Sequence, residues 1–407
     1  MTATAGPDLA ACRFWQPSVA LGPARVGIIP DWNAVTLLNP AAAAIWDLLI
    51  ETGDIGAATR GYARRVPARA TAAAADVAAC LAAWQAQGLF APPAPTDEAL
   101  RLRALTGAPA ARRSPRSPAP AFRRGFLVGD VPVALEVEDP ALAAVVAELL
   151  ADFPDTDRPP RHVLRATGPE AGWVLYQDDA PHRMAQSLAM ARGQIVAELV
   201  RLAGGAKGWR ATVHGAVLSG AGGAVFLAGE SGAGKSTLSA GLIARGWRLL
   251  AEDLAAFGDN WQVHPLPFAL SIKDGAVGTL APDYPGLAAA TPHRLGPREV
   301  RYQSLPPGAR ATEPQRPRLF LEVRYTAEMG TAPAEVEPLT EIEALGLFLN
   351  EESHIGFERA DTADFLDFVA RTPAYRLHYG DIPTAERAIR DGLETHAGAD
   401  AGRDADG

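Results

Sequence analysis

The most informative stretch of this 407-residue chain reads Gly229-Glu230-Ser231-Gly232-Ala233-Gly234-Lys235-Ser236-Thr237. It matches the Walker A pattern GxxxxGK[ST], whose glycines let the backbone wrap so that successive N–H groups point at phosphate oxygens. The sequence predicts an apolar strand before it, over residues 224–228, and an amphipathic helix after it, over residues 235–245. A phosphate-binding loop needs this context, because the helix N-terminus adds positive potential. We therefore predict that all nine residues bind ATP, with Lys235 reaching its β- and γ-phosphates and Ser236 binding Mg²⁺.

Two further features lie close to this loop in the sequence. The acidic pair Glu252-Asp253 follows a predicted strand over residues 247–251, and strand ends line the ligand crevice of an open sheet. One carboxylate there can hold Mg²⁺ and the other can accept a proton from an attacking hydroxyl, whereas the alternative is a helix cap or a solvated turn. His214 lies just before Gly215 on a strand predicted over residues 212–218, and its alternative is a structural histidine.

The order of these motifs resembles that of the HPr kinase/phosphorylase family. That family has a His-Gly pair, a GESGxGKS loop and an Arg-Gly-x-Arg-Leu-x-x-Asp-Asp segment at close spacing. Here they read His214-Gly215, Gly229 to Ser236 and Arg245-Gly246-Trp247-Arg248-Leu249-Leu250-Ala251-Glu252-Asp253. The resemblance implies a P-loop domain similar to that family and to phosphoenolpyruvate carboxykinase. It also implies phosphoryl transfer from a nucleotide to a serine of a protein or peptide.

The resemblance implies roles for individual residues as well. Glu252 takes the place of the general base, Asp253 that of the second acidic residue near the metal, and His214 that of the histidine beside the catalytic carboxylate or phosphate. Glu252 stands where the family usually has aspartate, and the segment that serves reverse phosphorolysis is not recognisable in residues 262–280. Lys273 lies in that region and is one of only three lysines. We expect it either to contact phosphate or substrate or to be a plain surface lysine.

The N-terminal region shows a different pattern. Strands are predicted over residues 26–29 and 34–38, around the turn Pro30-Asp31-Trp32-Asn33. Three helices follow, over residues 41–51, 55–65 and about 77–84. Two strands and three short helices are typical of a winged helix. Winged helices also bind DNA, but the six arginines and six acidic residues of region 1–92 cancel, which disfavours that function.

Two segments of this region resemble the PqqD family of peptide chaperones. They read Thr36-Leu37-Leu38-Asn39-Pro40-Ala41-Ala42-Ala43-Ala44-Ile45-Trp46-Asp47-Leu48-Leu49 and Val77…Leu81…Trp84…Gly88-Leu89. The resemblance implies that residues 1–92 capture a leader peptide, which adds a strand to the exposed sheet edge at residues 35–38 beside the third helix. The alternative is a domain that only stabilises its neighbour or dimerises.

Composition and domain pattern are those of an α/β (α+β overall) protein. Hydrophobic residues make up 48% and charged residues 21%, so the chain can bury a sizeable core. The net charge of −9 disfavours nucleic acid as a partner, and no apolar run is long enough for a membrane helix. The two cysteines, Cys12 and Cys80, favour a reducing cytoplasm. We predict four regions, namely a winged-helix domain at 1–92, a Pro/Arg/Ala-rich linker at 93–120, a P-loop domain at 121–395 and a disordered tail at 396–407.

Taken together, these patterns predict a cytoplasmic serine kinase that acts on a ribosomal precursor peptide bound by its leader. One alternative is a non-catalytic chaperone that uses ATP as a switch. Another is an enzyme that acts on a free small molecule. Because related kinases form oligomers, the resemblance also implies a homo-oligomer.

Overall fold

The computed structural model describes residues 7, 9–29, 34–91, 119–168, 172–205, 208–349, 353–356 and 359–400. These residues form a mixed α/β structure of helices and several sheets, as the sequence predicts. They divide into two compact units, between which the chain passes more than once. Unit 1 comprises Met1–Ala94, Leu339–Leu349 and His354–Thr372, and unit 2 comprises Pro95–Pro338, Asn350–Ser353 and Pro373–Gly407.

The elements are numbered in chain order. The strands are β1 (Val19–Leu21), β2 (Ala24–Ile29), β3 (Ala34–Leu38), β4 (Phe122–Val128), β5 (Val131–Val137), β6 (His162–Thr167), β7 (Trp173–Gln177), β8 (Ala180–Ala185), β9 (Ala211–His214), β10 (Ala216–Gly220), β11 (Gly223–Ala228), β12 (Arg248–Ala251), β13 (Leu254–Phe257), β14 (Leu270–Lys273), β15 (His293–Leu295), β16 (Arg298–Gln303), β17 (Pro317–Tyr325), β18 (Glu335–Pro338), β19 (His354–Ile355) and β20 (Ala374–Tyr379). The helices are α1 (Pro40–Thr52), α2 (Ile55–Arg65), α3 (Ala73–Ala86), α4 (Pro140–Leu149), α5 (Leu188–Ala203), α6 (Lys235–Ala244), α7 (Asp274–Leu280), α8 (Glu341–Gly346), α9 (Arg359–Arg371) and α10 (Ile382–Asp400).

Unit 1 begins with an antiparallel sheet in the order β1-β2-β3, followed by α1, α2 and α3. Helix α1 starts where the sequence predicts, because the Asn39 side chain accepts the N–H of Ala42 and Pro40 occupies the first turn. Three tryptophans fill the core, with Trp15 and Trp46 stacked 3.8 Å apart between ring centroids and Trp84 edge-on to both. The two predicted strands and three predicted helices are confirmed, whereas β1 was not predicted.

Segments from late in the chain complete unit 1. Helix α9 packs against β1, and Thr362 on α9 donates a hydrogen bond to the Gln16 side chain at 3.2 Å. Phe348, just after α8, packs edge-on against Phe365 and Phe368 of α9, and all three rings are buried. The sequence pattern predicts helices over residues 341–349 and 363–371, within the predicted domain 121–395. The structure groups them with the N-terminal residues, because helical periodicity does not specify what the apolar face packs against.

Unit 2 is built around a six-stranded sheet in the order β12-β10-β11-β17-β20-β18. Strands β11, β17 and β20 are parallel neighbours, so their carboxyl ends lie at one edge of the sheet. Helices α6 and α10 pack against this sheet. A second sheet runs β4-β5-β6-β7-β8 and is covered by α4 and α5, and a small sheet runs β14-β16-β15.

Two predictions about elements need correction. The spacing of Met184, Leu188, Ile195 and Leu199 predicts a helix over residues 183–202. The helix begins only at Leu188, where the Ser187 hydroxyl caps it, because residues 183–185 pair with β7 as part of β8. The predicted disordered tail begins too early, since α10 continues to Asp400 and His396 hydrogen-bonds the Tyr375 hydroxyl at 2.8 Å.

Three predicted segments lie wholly or mostly outside the described residues. They are the turn at residues 30–33, most of the linker at 93–120 and the end of the tail at 401–407. No helix in the described part of the chain combines the length and hydropathy that a membrane crossing requires.

Candidate functional site

The predicted phosphate loop joins the end of β11 to the start of α6, as the sequence indicates. Gly229, Gly232 and Gly234 have φ angles of +145°, +97° and +98°, which side chains other than glycine rarely adopt. A Cβ at Gly234 would also collide with the Tyr379 hydroxyl, which donates a hydrogen bond to the Gly234 carbonyl at 3.3 Å. The Tyr325 N–H binds the Ala233 carbonyl at 3.1 Å. The ends of β17 and β20 therefore hold the loop in its wrapped form.

Lys235 folds back over the loop. Its Nζ donates hydrogen bonds to the carbonyl oxygens of Gly229 at 2.5 Å and Glu230 at 3.2 Å. This places a positive charge at the mouth of the loop, where the N-terminus of α6 already favours anions. Such an arrangement can bind the phosphates of a nucleotide.

Ser236 and Glu252 form the first pair of the site. The Ser236 hydroxyl donates a hydrogen bond to Glu252 Oε1 at 2.9 Å, so the start of α6 is joined to the residue that follows β12. The Glu252 side chain is buried. Burial and the negative charge of Asp253 raise the pKa of Glu252 to about 7, although Arg192, Ser236 and His214 act in the opposite direction. This carboxyl group can therefore gain and lose a proton near neutral pH.

Asp253 has a different environment. Its carboxylate accepts a hydrogen bond from Arg192 Nη1 at 2.7 Å and lies 3.5 Å from His214 Nδ1. Burial alone would raise the pKa of Asp253, but the charges of Arg192 and His214 outweigh it and lower this pKa. Asp253 is therefore the permanently charged member of the acidic pair.

The sequence gives no signal for Arg192 or Ser271. Arg192 lies on α5 and its Nη2 donates to the Ser271 hydroxyl at 2.9 Å, so one guanidinium joins the acidic pair to β14. Lys273, two residues further on, places its Nζ 3.2 Å from the Ser231 hydroxyl of the phosphate loop. Lys273 therefore lies beside the phosphate loop, and its contact with phosphate or substrate stays a prediction.

The site brings together every residue that the sequence nominates. Lys235 and Ser236 begin α6, and Ser236 is hydrogen-bonded to Glu252. Asp253 lies beside His214. Within the described residues, no group of three or more His, Cys, Asp or Glu side chains could hold a metal ion by itself. Mg²⁺ commonly takes one or two protein oxygens and fills its shell with phosphates and water. The oxygens of Ser236 and the neighbouring carboxylates fit that requirement.

A second candidate site lies in unit 1, along β3. No strand of the described residues pairs with the outer edge of β3, because the sheet order is β1-β2-β3. Leu37 on this strand is 50% exposed, and the Thr36 hydroxyl donates to the Gln87 side chain after α3 at 3.0 Å. An unpaired edge with an exposed apolar side chain can accept an added strand.

Comparison with known proteins gives two likenesses. A structure of the Hpr(Ser) kinase/phosphatase from Coxiella burnetii is 16% identical to this chain, covers 45% of it and 98% of its own chain, and gives a TM-score of 0.23. No curated protein matches this chain. Residues 24–89 match the family of coenzyme PQQ synthesis protein D, PqqD. This match includes β2, β3 and the three helices that follow, so residues 24–89 form a PqqD domain.

Proposed function

We propose that this protein is an ATP-dependent kinase that phosphorylates a serine, or less readily a threonine, of a ribosomally made precursor peptide. The observation that carries the proposal is the hydrogen bond between buried Glu252 and Ser236, at the first turn of the phosphate-loop helix. It places a carboxyl group of suitable pKa beside the groups that would bind a nucleotide.

The residues of this chain contribute to the reaction in four ways. Lys235 and the loop N–H groups bind the phosphates and offset the charge of the transferring phosphoryl group. Ser236 and Asp253, together with phosphate oxygens, would hold Mg²⁺, which would neutralise more of that charge. Glu252 accepts the proton of the peptide hydroxyl. At the same time the hydroxyl oxygen bonds to the γ-phosphorus, and the bond between that phosphorus and the leaving diphosphate breaks. His214 and Arg192 keep the Asp253 carboxylate in place.

We further propose that the PqqD domain holds the leader of the peptide along β3. The peptide would add a strand to this edge, with main-chain hydrogen bonds giving most of the affinity. Residues 93–120 would act as the linker to the catalytic unit. Tethering raises the effective concentration of the peptide to about millimolar. The two cysteines of this chain favour a reducing cytoplasm as its location.

The test is the intact mass of the short peptide encoded beside this gene, co-expressed with the wild-type protein and with Glu252→Gln. We expect one added phosphoryl group with the wild type and none with the variant. An unmodified peptide that still co-purifies with the wild type would contradict the kinase and favour the ATP-switched chaperone. A peptide that is neither modified nor bound would exclude it as the partner.

A further inference from the structure

An arginine outside every motif lies over the phosphate loop. Arg298 begins β16, directly after the turn at Gly296. A Cβ placed on Gly232 would lie 3.4 Å from Arg298 Nη1 and 3.6 Å from Nη2. The guanidinium therefore lies against the middle of the loop, at Gly232, where no side chain covers the backbone.

The charge of Arg298 is not neutralised by any acidic side chain in the described part of the chain. Arg298 is exposed and makes no ion pair or hydrogen bond with a described residue. By contrast, Arg301 on the same strand is paired with Asp274. Glu230, the acidic residue of the loop itself, does not pair with Arg298 either. The N–H groups of the Arg298 guanidinium are therefore available to hydrogen-bond a bound ligand.

Lys273 adds a second cation at the same place. Lys273 pairs with Val300 in the sheet, and side chains two residues apart on a strand share a face, so Lys273 and Arg298 project from the same face. Lys273 contacts Ser231 and Arg298 lies over the next residue of the loop. With Lys235 on the carbonyls of residues 229 and 230, three positive groups surround one half of the loop. Like charges this close are stabilised by an anion between them.

We propose that Arg298 is a further catalytic residue, which binds the terminal phosphate of the nucleotide and makes the site prefer a triphosphate to a diphosphate. This inference rests on the nucleotide site of the proposed function. The planar guanidinium can donate to two phosphate oxygens at once, which an ammonium group cannot match. Arg298, Lys235 and the loop N–H groups would together offset the negative charge on the transferring phosphoryl group.

Direct binding tests this without any peptide. The full-length protein is titrated by calorimetry, in the presence of Mg²⁺, with ADP and with the non-hydrolysable β,γ-imido analogue of ATP. We expect Arg298→Ala to weaken binding of the analogue about tenfold or more, as for a lost charge-assisted hydrogen bond, and to change ADP affinity less than about twofold.

Arg294→Ala is the matched control. Arg294 on β15 is also exposed, but it pairs with Glu299 and so projects from the other face of the sheet. It should change neither affinity. Equal weakening of both nucleotides by Arg298→Ala, or no weakening of either, would overturn the role of Arg298. A wild-type protein that binds neither nucleotide would overturn the nucleotide site as well. A protein that binds the two nucleotides as expected but transfers no phosphoryl group to the peptide would contradict the proposed kinase activity. The role of Arg298 in nucleotide binding would still hold.

Discussion

Two adjacent carboxyl groups have opposite electrostatic surroundings. Burial beside a second negative charge raises the pKa of Glu252, while Arg192 and His214 lower the pKa of Asp253. Two carboxyl groups whose environments separate their pKa values can take different roles, one as a base and one as a fixed charge.

Separate substitutions test this division of roles. Glu252→Gln keeps the size of the side chain but cannot accept a proton, so we expect phosphoryl transfer to fall by about 10²–10⁴ while nucleotide binding persists. Asp253→Asn should weaken nucleotide binding in the presence of Mg²⁺ more than in its absence. Rates from peptide mass and affinities from calorimetry give the comparison. A Glu252→Gln variant with an unchanged rate would rule out this residue as the base.

The pH profile gives an independent measurement. The base must be deprotonated to act, and the pKa of Glu252 is raised to about 7. The rate should therefore rise as pH increases from 5 through about 7 and level off above it, because the fraction of ionised Glu252 then saturates. A rate that is flat between pH 5.5 and 8 would argue against a base with this pKa. Initial rates at saturating nucleotide and Mg²⁺ provide the curve.

The residues of the site differ in how far the sequence could predict them. The residue spacing of the phosphate loop identifies it, and the acidic pair is nominated by its place directly after a predicted strand and by the family resemblance. Arg192 lies 61 positions from its partner Asp253, on a helix with no motif, and Arg298 follows an ordinary turn. Their positions depend on how α5 and β16 pack, which local patterns do not contain.

At the scale of elements, a buried ion network joins α5 to its sheet. Glu198 on α5 is fully buried, and it is hydrogen-bonded to His182 of β8 at 2.9 Å and to Arg201 of its own helix. Burial alone would raise the pKa of Glu198, but these hydrogen bonds outweigh it and lower the pKa to about 2. The network therefore stabilises the folded state only while Glu198 is ionised.

This gives a pH dependence of stability. An unfolded glutamate has a pKa of about 4.3, so Glu198 contributes fully above that pH, and its contribution is lost as pH falls towards about 2. Glu198→Gln should cost about 3 kcal/mol of unfolding free energy near neutral pH and almost nothing near pH 2. Denaturant titrations across this range measure the difference. The exposed Glu394→Gln serves as the control, and a cost for Glu198→Gln that did not shrink in acid would contradict the assignment.

The free edge of β3 makes a second prediction at this scale. Leu37→Lys should weaken binding of the precursor peptide about tenfold, because burial of one leucine side chain stabilises a complex by about 1.5–3 kcal/mol. Ile342→Lys, on α8 of the same unit and 37% exposed, should leave that affinity unchanged. Fluorescence anisotropy with a labelled peptide measures both. Equal losses from the two variants would contradict binding at β3.

Sequence patterns identified most elements but not all of their partners. Helix α1 has a clear cap, so its bounds could be predicted closely. Helix α3 has no side-chain cap, and it extends four residues before and two residues after the predicted range 77–84. β1 is only three residues long, and β8 reads as helical because its sequence lacks alternation. The sequence could not predict that α8 and α9 belong to unit 1, because this depends on tertiary packing.

At the scale of the molecule, unit 1 is discontinuous in sequence, so removal of residues 1–92 is not a clean deletion. It would leave α8 and α9 without β1 and the rest of the N-terminal core, exposing Phe348, Phe365 and Phe368. We expect the truncated protein to bind a hydrophobic dye and to aggregate, while the full-length Leu37→Lys variant does neither. Size-exclusion chromatography and dye fluorescence show the difference. A monodisperse truncated protein that binds no dye would mean that α8 and α9 do not need the N-terminal residues.

The same discontinuity has a consequence for synthesis on the ribosome. Helix α9 leaves the ribosome only after some 270 further residues have followed β3 and its helices, which takes about 15–60 s at 5–20 residues per second. Throughout that interval unit 1 is an incomplete nascent chain, with the surface of β1 that α9 will cover still open to solvent. Unit 1 therefore reaches its finished form late in translation, shortly before the last residues of unit 2 are added.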